Sequence, residues 1–382
     1  MPHMHQTMQG ETHRIASLEA LRGIAALIVV VWHTMLAFAP QTTGIFSQFP
    51  PFEAYTGSPF FFLMNGNGAV NVFFVLSGFV LSRKFFLEQD NAFIVKNAVR
   101  RYPRLALPVL ISVIVSYLLF HFGLYHFTEA ANLSGSPWLA KFGYAYDKPF
   151  TPSLLEAIKQ GAFFTFFKGD ASYNSSLWTM RYEFFGSFMV FGACLLLGAT
   201  RDFKRLTNFY FIAIIALMSW YASPWYLAFV SGLFIALIMP KDGWTIIKRL
   251  PRTYKFACAF LAFFLLGYSQ SKGVYTLFGK SNPILVNIAG STILLILLTH
   301  TALQGTMLWI ARFLGALSFP LYLIHLPVLF SLGCWLYLKI DASGLLYPVA
   351  WMIPLVLIIS TAAAWPLMAI NQNWLRFLNS RI

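Results

Sequence analysis

The sequence predicts an all-α integral membrane protein that crosses the bilayer many times. Of its 382 residues, 58% are hydrophobic and only 10% are charged, whereas soluble proteins carry roughly 25% charged residues. Apolar stretches of the length of a transmembrane helix, about 20 residues, recur along the chain, whereas barrel strands show about ten alternating positions. Composition and pattern therefore exclude a soluble globular protein, a transmembrane barrel and a disordered chain.

Ten apolar stretches are each predicted to form one membrane-spanning helix. They lie at residues 21–39, 68–86, 105–124, 177–199, 207–221, 224–239, 254–269, 284–301, 316–338 and 345–369. Ten spans place both termini on the same side. The chain is thus divided into an N-terminal tail (1–16), a transmembrane domain (17–370) with a long outer loop at about 125–176, and a C-terminal tail (371–382).

The distribution of positive charge predicts the orientation. Of the 27 Lys and Arg residues, 19 fall in segments that are cytoplasmic when both tails are inside, and 8 fall in outer segments. Cytoplasmic loops carry an excess of Lys and Arg, so both termini are predicted to be cytoplasmic. The net charge of +14 then needs no nucleic-acid partner, and anionic lipids of the inner cell membrane are its expected counterpart.

The outer loop contains one predicted amphipathic helix. Ser153 and Glu156 have the spacing of a capping box, and the helix would run through Phe166 along the outer membrane surface. Residues 22–39 superficially resemble a signal peptide, but retention of this segment is favoured because it carries the strongest chemical candidates in the chain.

Two ionisable residues share one face of the first helix. Arg22 and His33 are eleven residues apart, which is three turns plus about 20° of rotation and roughly 16 Å of rise. That geometry suits a ligand with an anionic head in the cytoplasm and a thin reactive arm in the membrane, as in acyl-coenzyme A. The alternatives are a snorkelling anchor for Arg22 and a structural histidine for His33.

Glu183 is the predicted partner of His33. It lies six or seven residues below the outer boundary, at the depth expected for His33. A neighbouring carboxylate would fix the imidazole tautomer and raise its basicity, as a general base for a hydroxyl requires. The alternative pairs Glu183 with Arg181 as a helix anchor.

Further candidates lie toward the cytoplasm. Arg101 and Arg104 precede the predicted third helix and, beside Arg22, would complete a basic rim for adenosine and pyrophosphate groups. An ordinary cytoplasmic charge cluster is the alternative. Tyr322 and His325, near the start of the ninth helix, are placed along the channel for the acyl arm, with a structural role for His325 as the alternative. The three cysteines lack metal-ligand spacing, so neither a metal nor a disulfide is expected.

Five motifs in order resemble the membrane-bound acyltransferase 3 family, which O-acylates surface glycans and some small molecules. They are Leu21-Arg22-Gly23 with its spacing to His33, residues 73–79, Arg101 with Arg104, residues 176–179 with Glu183, and residues 318–325. The resemblance implies a catalytic His33, donor handling by Arg22, Arg101 and Arg104, and Glu183 in the same site. The departures are Glu19-Ala20, where Asp-Gly is common, and Phe319, where Tyr is frequent.

The predicted function is transfer of an acyl group, by default acetyl, from cytoplasmic acyl-CoA to a hydroxyl of an extracytoplasmic or membrane-linked glycan or glycolipid. Many relatives carry a fused extracytoplasmic domain that completes the transfer. The sequence shows no such domain after the last predicted span, so this chain is expected to act alone or with a separate extracytoplasmic acyl-transfer partner. The alternative is a proton-coupled transporter of a small solute, with His33 and Glu183 as the proton relay.

Overall fold

The protein is built from helices, as the composition predicts. The structure is a computed structural model and describes residues 2–46, 48–49, 55–58, 60–145, 150–199, 205–269 and 282–381. Five of the basic residues used for the orientation lie outside the described residues: Lys148, Arg201, Lys204, Lys272 and Lys280.

The α-helices of the described residues are numbered α1 to α16 in chain order. They are α1 (Pro2–Phe38), α2 (Gly66–Glu88), α3 (Asn91–His121), α4 (Phe127–Ser134), α5 (Pro137–Ala140), α6 (Leu154–Lys159), α7 (Thr165–Phe167), α8 (Trp178–Ala199), α9 (Arg205–Ala222), α10 (Tyr226–Ile238), α11 (Thr245–Arg249), α12 (Arg252–Leu266), α13 (Pro283–Leu298), α14 (Gly305–Val328), α15 (Cys334–Ala342) and α16 (Pro348–Arg381). Short 3₁₀ turns occupy Pro40–Thr43, Tyr55–Gly57, Phe61–Leu63 and Ser175–Leu177. π-Helical turns occupy Gln160–Phe164 and Leu329–Gly333.

Helical structure occupies most of each of the ten predicted spans. Six helical stretches of the described chain are long and apolar enough to cross a membrane: Ala16–Phe38, Gly66–Glu88, Asn91–His121, Ser175–Ala199, Gly305–Ala342 and Pro348–Arg381. The apolar helices Thr207–Ala222, Tyr226–Ile238 and Pro283–Leu298 are shorter. The polytopic helical architecture is confirmed, whereas the number of ten spans and the side of the termini stay predictions.

Three helices begin well before their predicted spans: α1, at Pro2 rather than at residue 21, α3 and α14. Helix α3 begins at Asn91 rather than at residue 105, because the Asp90 side chain accepts the Ala92 N–H as an N-cap and Pro103 is accommodated within the helix. Arg101 and Arg104 therefore lie one turn apart on α3 and not in a loop before it. Helix α14 begins at Gly305 rather than at residue 316, which places its later residues deeper in the bundle.

Helices α1 and α14 are in close contact along their length. A Cβ atom on Gly23 would overlap Leu314, and one on Gly315 would overlap the Glu19 side chain. Such small residues let helix backbones approach closely within a membrane. Because Gly23 meets Leu314 and, further along both helices, His33 meets His325, α1 and α14 run parallel. Their contact fixes the relative positions of the candidate site residues that they carry.

A proline in α14 creates an attachment point for the outer loop. Pro327 has no N–H to donate to the carbonyl of Leu323, four residues earlier. The Asn174 side-chain amide donates to this carbonyl instead, at 2.7 Å. The segment that leads into α8 is thereby held against α14, beside the start of the π-helical turn.

The predicted amphipathic segment of the outer loop is helical, but its predicted cap is wrong. Helices α6 and α7 and the π-helical turn between them extend through Phe167, with exposed apolar side chains that include Leu155 and Phe163. The Ser153 side chain makes no capping hydrogen bond. The Tyr173 hydroxyl instead accepts the Ser153 N–H and donates to the Ser153 carbonyl, because it reaches this helix start from the loop that follows.

Candidate active site

One cavity, the basic cavity, lies between α1, α2, α3, α8, α14 and α16 and has a volume of about 500 Å³. Its charged lining residues are Glu19, Arg22, Arg101, Arg104, Glu183 and Arg312. Four guanidinium groups thus face two carboxylates, so the cavity has an excess of positive charge suited to an anionic ligand.

The arginines of the basic cavity differ in their partners. Arg101 pairs with the Glu183 carboxylate, which also accepts the Ser77 hydroxyl at 2.8 Å. The Nε atom of Arg101 is buried and has no hydrogen-bond partner. Within the described chain, Arg22, Arg104 and Arg312 form no hydrogen bond or ion pair. Several donors therefore remain available to a ligand.

A second cavity, the histidine cavity, has a volume of about 640 Å³ and is lined by His33 from α1 together with residues of α2, α14 and the outer loop. The aromatic side chains of Trp32, Trp138, Tyr144 and Trp178 form much of its wall. Asp170, Ser172 and Ser175 add polar groups. The pKa of a tyrosine hydroxyl is about 10, and partial desolvation raises the pKa of Tyr144 further, so this hydroxyl is protonated at neutral pH and can donate a hydrogen bond.

His33 is held by His325, by Trp138 and by a hydrogen bond with the backbone carbonyl of Val29, one turn earlier on α1. Its Nδ1 atom lies 2.9 Å from Nε2 of His325, and the two rings have centroids 5.0 Å apart and an interplanar angle of 28°. The Trp138 indole stacks on its face at a centroid distance of 5.3 Å and an interplanar angle of 14°. His325 is fully buried, and its Nδ1 lies 2.8 Å from the carbonyl oxygen of Tyr322.

The two cavities meet at Tyr322 and Val70, the residues that line both of them. The Tyr322 hydroxyl donates to the Ser176 carbonyl at 2.9 Å and lies 2.8 Å from the Thr179 hydroxyl. Arg22 lines the basic cavity and His33 the histidine cavity. Arg22 and His33 therefore line two adjoining cavities rather than a single one.

Two expected placements differ from the structure. Glu183 was expected to contact His33, or in the alternative Arg181, but its carboxylate binds Arg101 and Ser77 in the basic cavity. The reason is its position on α8: Thr179 already lies at the level of Tyr322, and Glu183 is one turn further along, on the side of the basic cavity. His325 was expected in the donor channel but contacts His33, because α14 begins earlier than predicted.

Several lining residues carried no signal in the sequence. Trp138, Asp170 and Ser172 belong to the outer loop, whose path over His33 is set by tertiary contacts. Ser77 lay within a recognised motif but was given no chemistry, and Arg312 was counted only as a loop charge. Among the residues that the structure describes, no group of three or more His, Cys, Asp or Glu side chains could hold a metal ion.

Comparison with known proteins identifies the family of the chain. A family model described as an acyltransferase domain matches residues 15–369. The O-acetyltransferase PaAT-1 of Phomopsis amygdali is 25% identical over 385 aligned positions, which cover 86% of this chain and 75% of that protein. No solved structure matches the chain. The match over nearly the whole transmembrane region establishes that the chain belongs to the acyltransferase 3 family and is an acyltransferase.

Proposed function

We propose that this protein transfers an acyl group, by default acetyl, from cytoplasmic acyl-CoA to a hydroxyl of an extracytoplasmic or membrane-linked glycan or glycolipid. Family membership supports a membrane O-acyltransferase, and the name of the relative from Phomopsis amygdali supports acetyl as the transferred group. The donor, the acyl group and the acceptor class are the parts that belong to the proposal.

The basic cavity is the proposed site for the donor. Acyl-CoA carries phosphate groups at one end and a thioester at the end of a flexible arm. Arg22, Arg104 and Arg312 make no hydrogen bond or ion pair in the described chain and can bind phosphate oxygens. Tyr322 lies where the basic cavity meets the histidine cavity, so the arm would end beside it.

The histidine cavity is the proposed site for the acceptor. Its aromatic wall offers flat apolar faces, and its polar groups offer hydrogen bonds, which is the combination that ring-shaped polyols require. Its volume of about 640 Å³ lies within the range of small-molecule sites, roughly 300–1,000 Å³.

His33 is the proposed general base. It takes the proton of the acceptor hydroxyl while the hydroxyl oxygen attacks the thioester carbonyl carbon. A carbon–oxygen bond forms, the carbon–sulfur bond breaks, and the coenzyme A sulfur leaves with the proton that His33 returns. A positioned base of this kind contributes typically 10²- to 10⁴-fold in rate.

The observation that carries the proposal is that Val70 and Tyr322 line both cavities. A site that takes a charged donor from one side and a hydroxyl from the other needs two cavities that adjoin at the reacting atoms. A transporter would instead move one unchanged substrate through the same path, and family membership as an acyltransferase removes that alternative.

The experiment uses the purified full chain in proteoliposomes with radiolabelled acetyl-CoA and the glycan and glycolipid fractions of the membranes that contain the protein. We expect alkali-labile label, as in an ester, on the acceptor fraction with wild-type protein and its loss with His33→Ala. His121→Ala is the matched control, because His121 is exposed and lies outside both cavities. Near-normal transfer by His33→Ala would remove His33 from the mechanism.

A further inference from the structure

His325 is a buried histidine that lines neither cavity, yet it contacts the proposed base directly. We propose that His325 is a positioning residue that holds His33 in the tautomer with a proton on Nδ1 and a free lone pair on Nε2. The inference rests on the proposed function, in which His33 accepts a proton from the acceptor hydroxyl, and it assigns the atom that does so.

The contact between His325 and the Tyr322 carbonyl determines which ring nitrogen of His325 carries a proton. The Tyr322 carbonyl oxygen can only accept a hydrogen bond, so Nδ1 of His325, 2.8 Å away, must carry a proton. The Leu321 carbonyl, at 3.2 Å from the same nitrogen, makes the same demand. A neutral imidazole has a single N–H, so Nε2 of His325 presents a lone pair.

That lone pair determines the state of His33. Nε2 of His325 lies 2.9 Å from Nδ1 of His33, and one of the two nitrogens must donate for a hydrogen bond to form. Because Nε2 of His325 is the acceptor, Nδ1 of His33 carries the proton. Nε2 of His33 then keeps its lone pair, and it lies on the far side of the ring from His325.

Ring orientation is restricted from a second direction. Trp138 stacks on the face of the His33 ring, so rotation of the imidazole would break the aromatic contact as well as the hydrogen bond to His325. His33 lines the histidine cavity, and the free Nε2 is the ring nitrogen able to take a proton there.

A neutral partner suits a buried base. When His33 takes a proton, its Nδ1–H bond to His325 becomes charge-assisted and stronger. A carboxylate at the same position would have to be buried as a charge in the resting protein, and removing a charge from water is unfavourable. His325 therefore orients the base without adding charge, and the same turn of α14 that carries Tyr322 anchors it.

The test compares His325→Leu, which cannot accept a hydrogen bond, with His325→Gln, whose side-chain oxygen can accept from His33 and whose amide can donate to the Tyr322 carbonyl. The full chain is produced with ¹⁵N-labelled histidine and reconstituted into proteoliposomes. The His33 signals are assigned by their loss in His33→Ala. Solid-state NMR then reports which ring nitrogen carries the proton. His121→Leu serves as the control, since His121 is exposed.

We expect wild-type His33 to be protonated on Nδ1 and His325→Leu to shift the proton to Nε2. In the acetyl-transfer assay, kcat should fall 10²-fold or more in His325→Leu with an unchanged KM for acetyl-CoA, and His325→Gln should recover at least tenfold of the loss. The inference is overturned if wild-type His33 is protonated on Nε2, or if His325→Leu transfers at the wild-type rate. The wild-type spectrum decides the tautomer even if His325→Leu does not fold.

Failure of the proposed function gives a different result. In that case His33→Ala would retain transfer, whereas the tautomer of wild-type His33 is measured without any substrate. A normal rate in His325→Leu together with an inactive His33→Ala would exclude His325 as a positioning residue, and His33 would still be the general base.

Discussion

The Glu183 carboxylate and the Arg101 guanidinium form an ion pair in the wall of the basic cavity, with 15% and 7% of their side chains exposed. The Ser77 hydroxyl donates to the same carboxylate oxygen that Arg101 contacts. Glu183 thus pairs directly with Arg101 and holds its guanidinium in place, while Arg22, Arg104 and Arg312 make no ion pair in the described chain and can bind a ligand. In this arrangement Glu183 shapes the basic cavity rather than orienting His33.

Removal of Glu183 should destabilise the protein. Glu183→Ala leaves the buried Arg101 charge without its partner, and breaking a buried pair in this way costs about 3–5 kcal/mol. Thermal unfolding in detergent, followed by tryptophan fluorescence, measures the loss. Glu156→Ala is the control, because Glu156 pairs with Lys159 on the surface and about half of each side chain is exposed; its effect should stay below about 1 kcal/mol. Equal melting temperatures for the two variants would contradict the role of the pair.

Arg22→Ala should weaken donor binding. Arg22 makes no hydrogen bond or ion pair within the described chain, so its loss removes ligand contacts without breaking one. Hydrogen bonds to charged groups contribute about 1.5–3 kcal/mol, equivalent to a roughly 10- to 100-fold weaker Kd. Titration with acetyl-CoA measures the change. Arg249→Ala on α11, whose side chain is exposed, should bind as tightly as wild type. An unchanged Kd in Arg22→Ala would place the donor elsewhere.

Trp138→Ala should impair the acceptor step and spare the donor step. The change removes the ring stacked on His33 and opens the wall of the histidine cavity. We expect kcat/KM for the acceptor to fall about 2- to 10-fold, since aromatic contacts contribute about 0.5–1.5 kcal/mol beyond their buried area. Trp138→Phe should keep part of the activity. The control is Trp335→Ala, an exposed tryptophan beside Lys339. A changed Kd for acetyl-CoA with normal acceptor kinetics would reverse this assignment.

The helical architecture could be predicted from the sequence because apolar length is a local property. Helix boundaries were less predictable where charge and proline occur together. The segment that includes Arg101 and Pro103 was expected to be a loop, yet the Asp90 cap and tertiary packing extend α3 back to Asn91. That extension matters to function, because it puts Arg101 and Arg104 on one helix in the basic cavity.

Several residues that the sequence singled out line the two cavities, but their contacts could not be predicted. The spacing of Arg22 and His33 on α1 indicated two levels of one helix, and the structure places them in two adjoining cavities. His33 and Glu183 were paired because they were predicted to lie at the same depth in the membrane. Glu183 instead lies on the side of α8 that contacts Arg101, and His325 of α14 contacts His33. Trp138 could not be found from sequence, because its contact with His33 depends on how the outer loop folds over α1.

The attachment of the outer loop to α14 gives a final prediction. Asn174→Ala removes the amide that donates to the Leu323 carbonyl, which Pro327 leaves without its helical partner. An unsatisfied buried carbonyl costs about 1–3 kcal/mol, so the melting temperature of Asn174→Ala should fall. Adding Pro327→Ala supplies a backbone N–H at the correct position, so the double variant should recover part of the loss. Recovery should be incomplete, because Asn174 also accepts hydrogen bonds from the Ser176 N–H and hydroxyl. Pro327→Ala alone, with the Asn174 amide still in place, should change stability less than Asn174→Ala. A double variant as unstable as the sum of the two single variants would show that the two residues do not serve the same carbonyl.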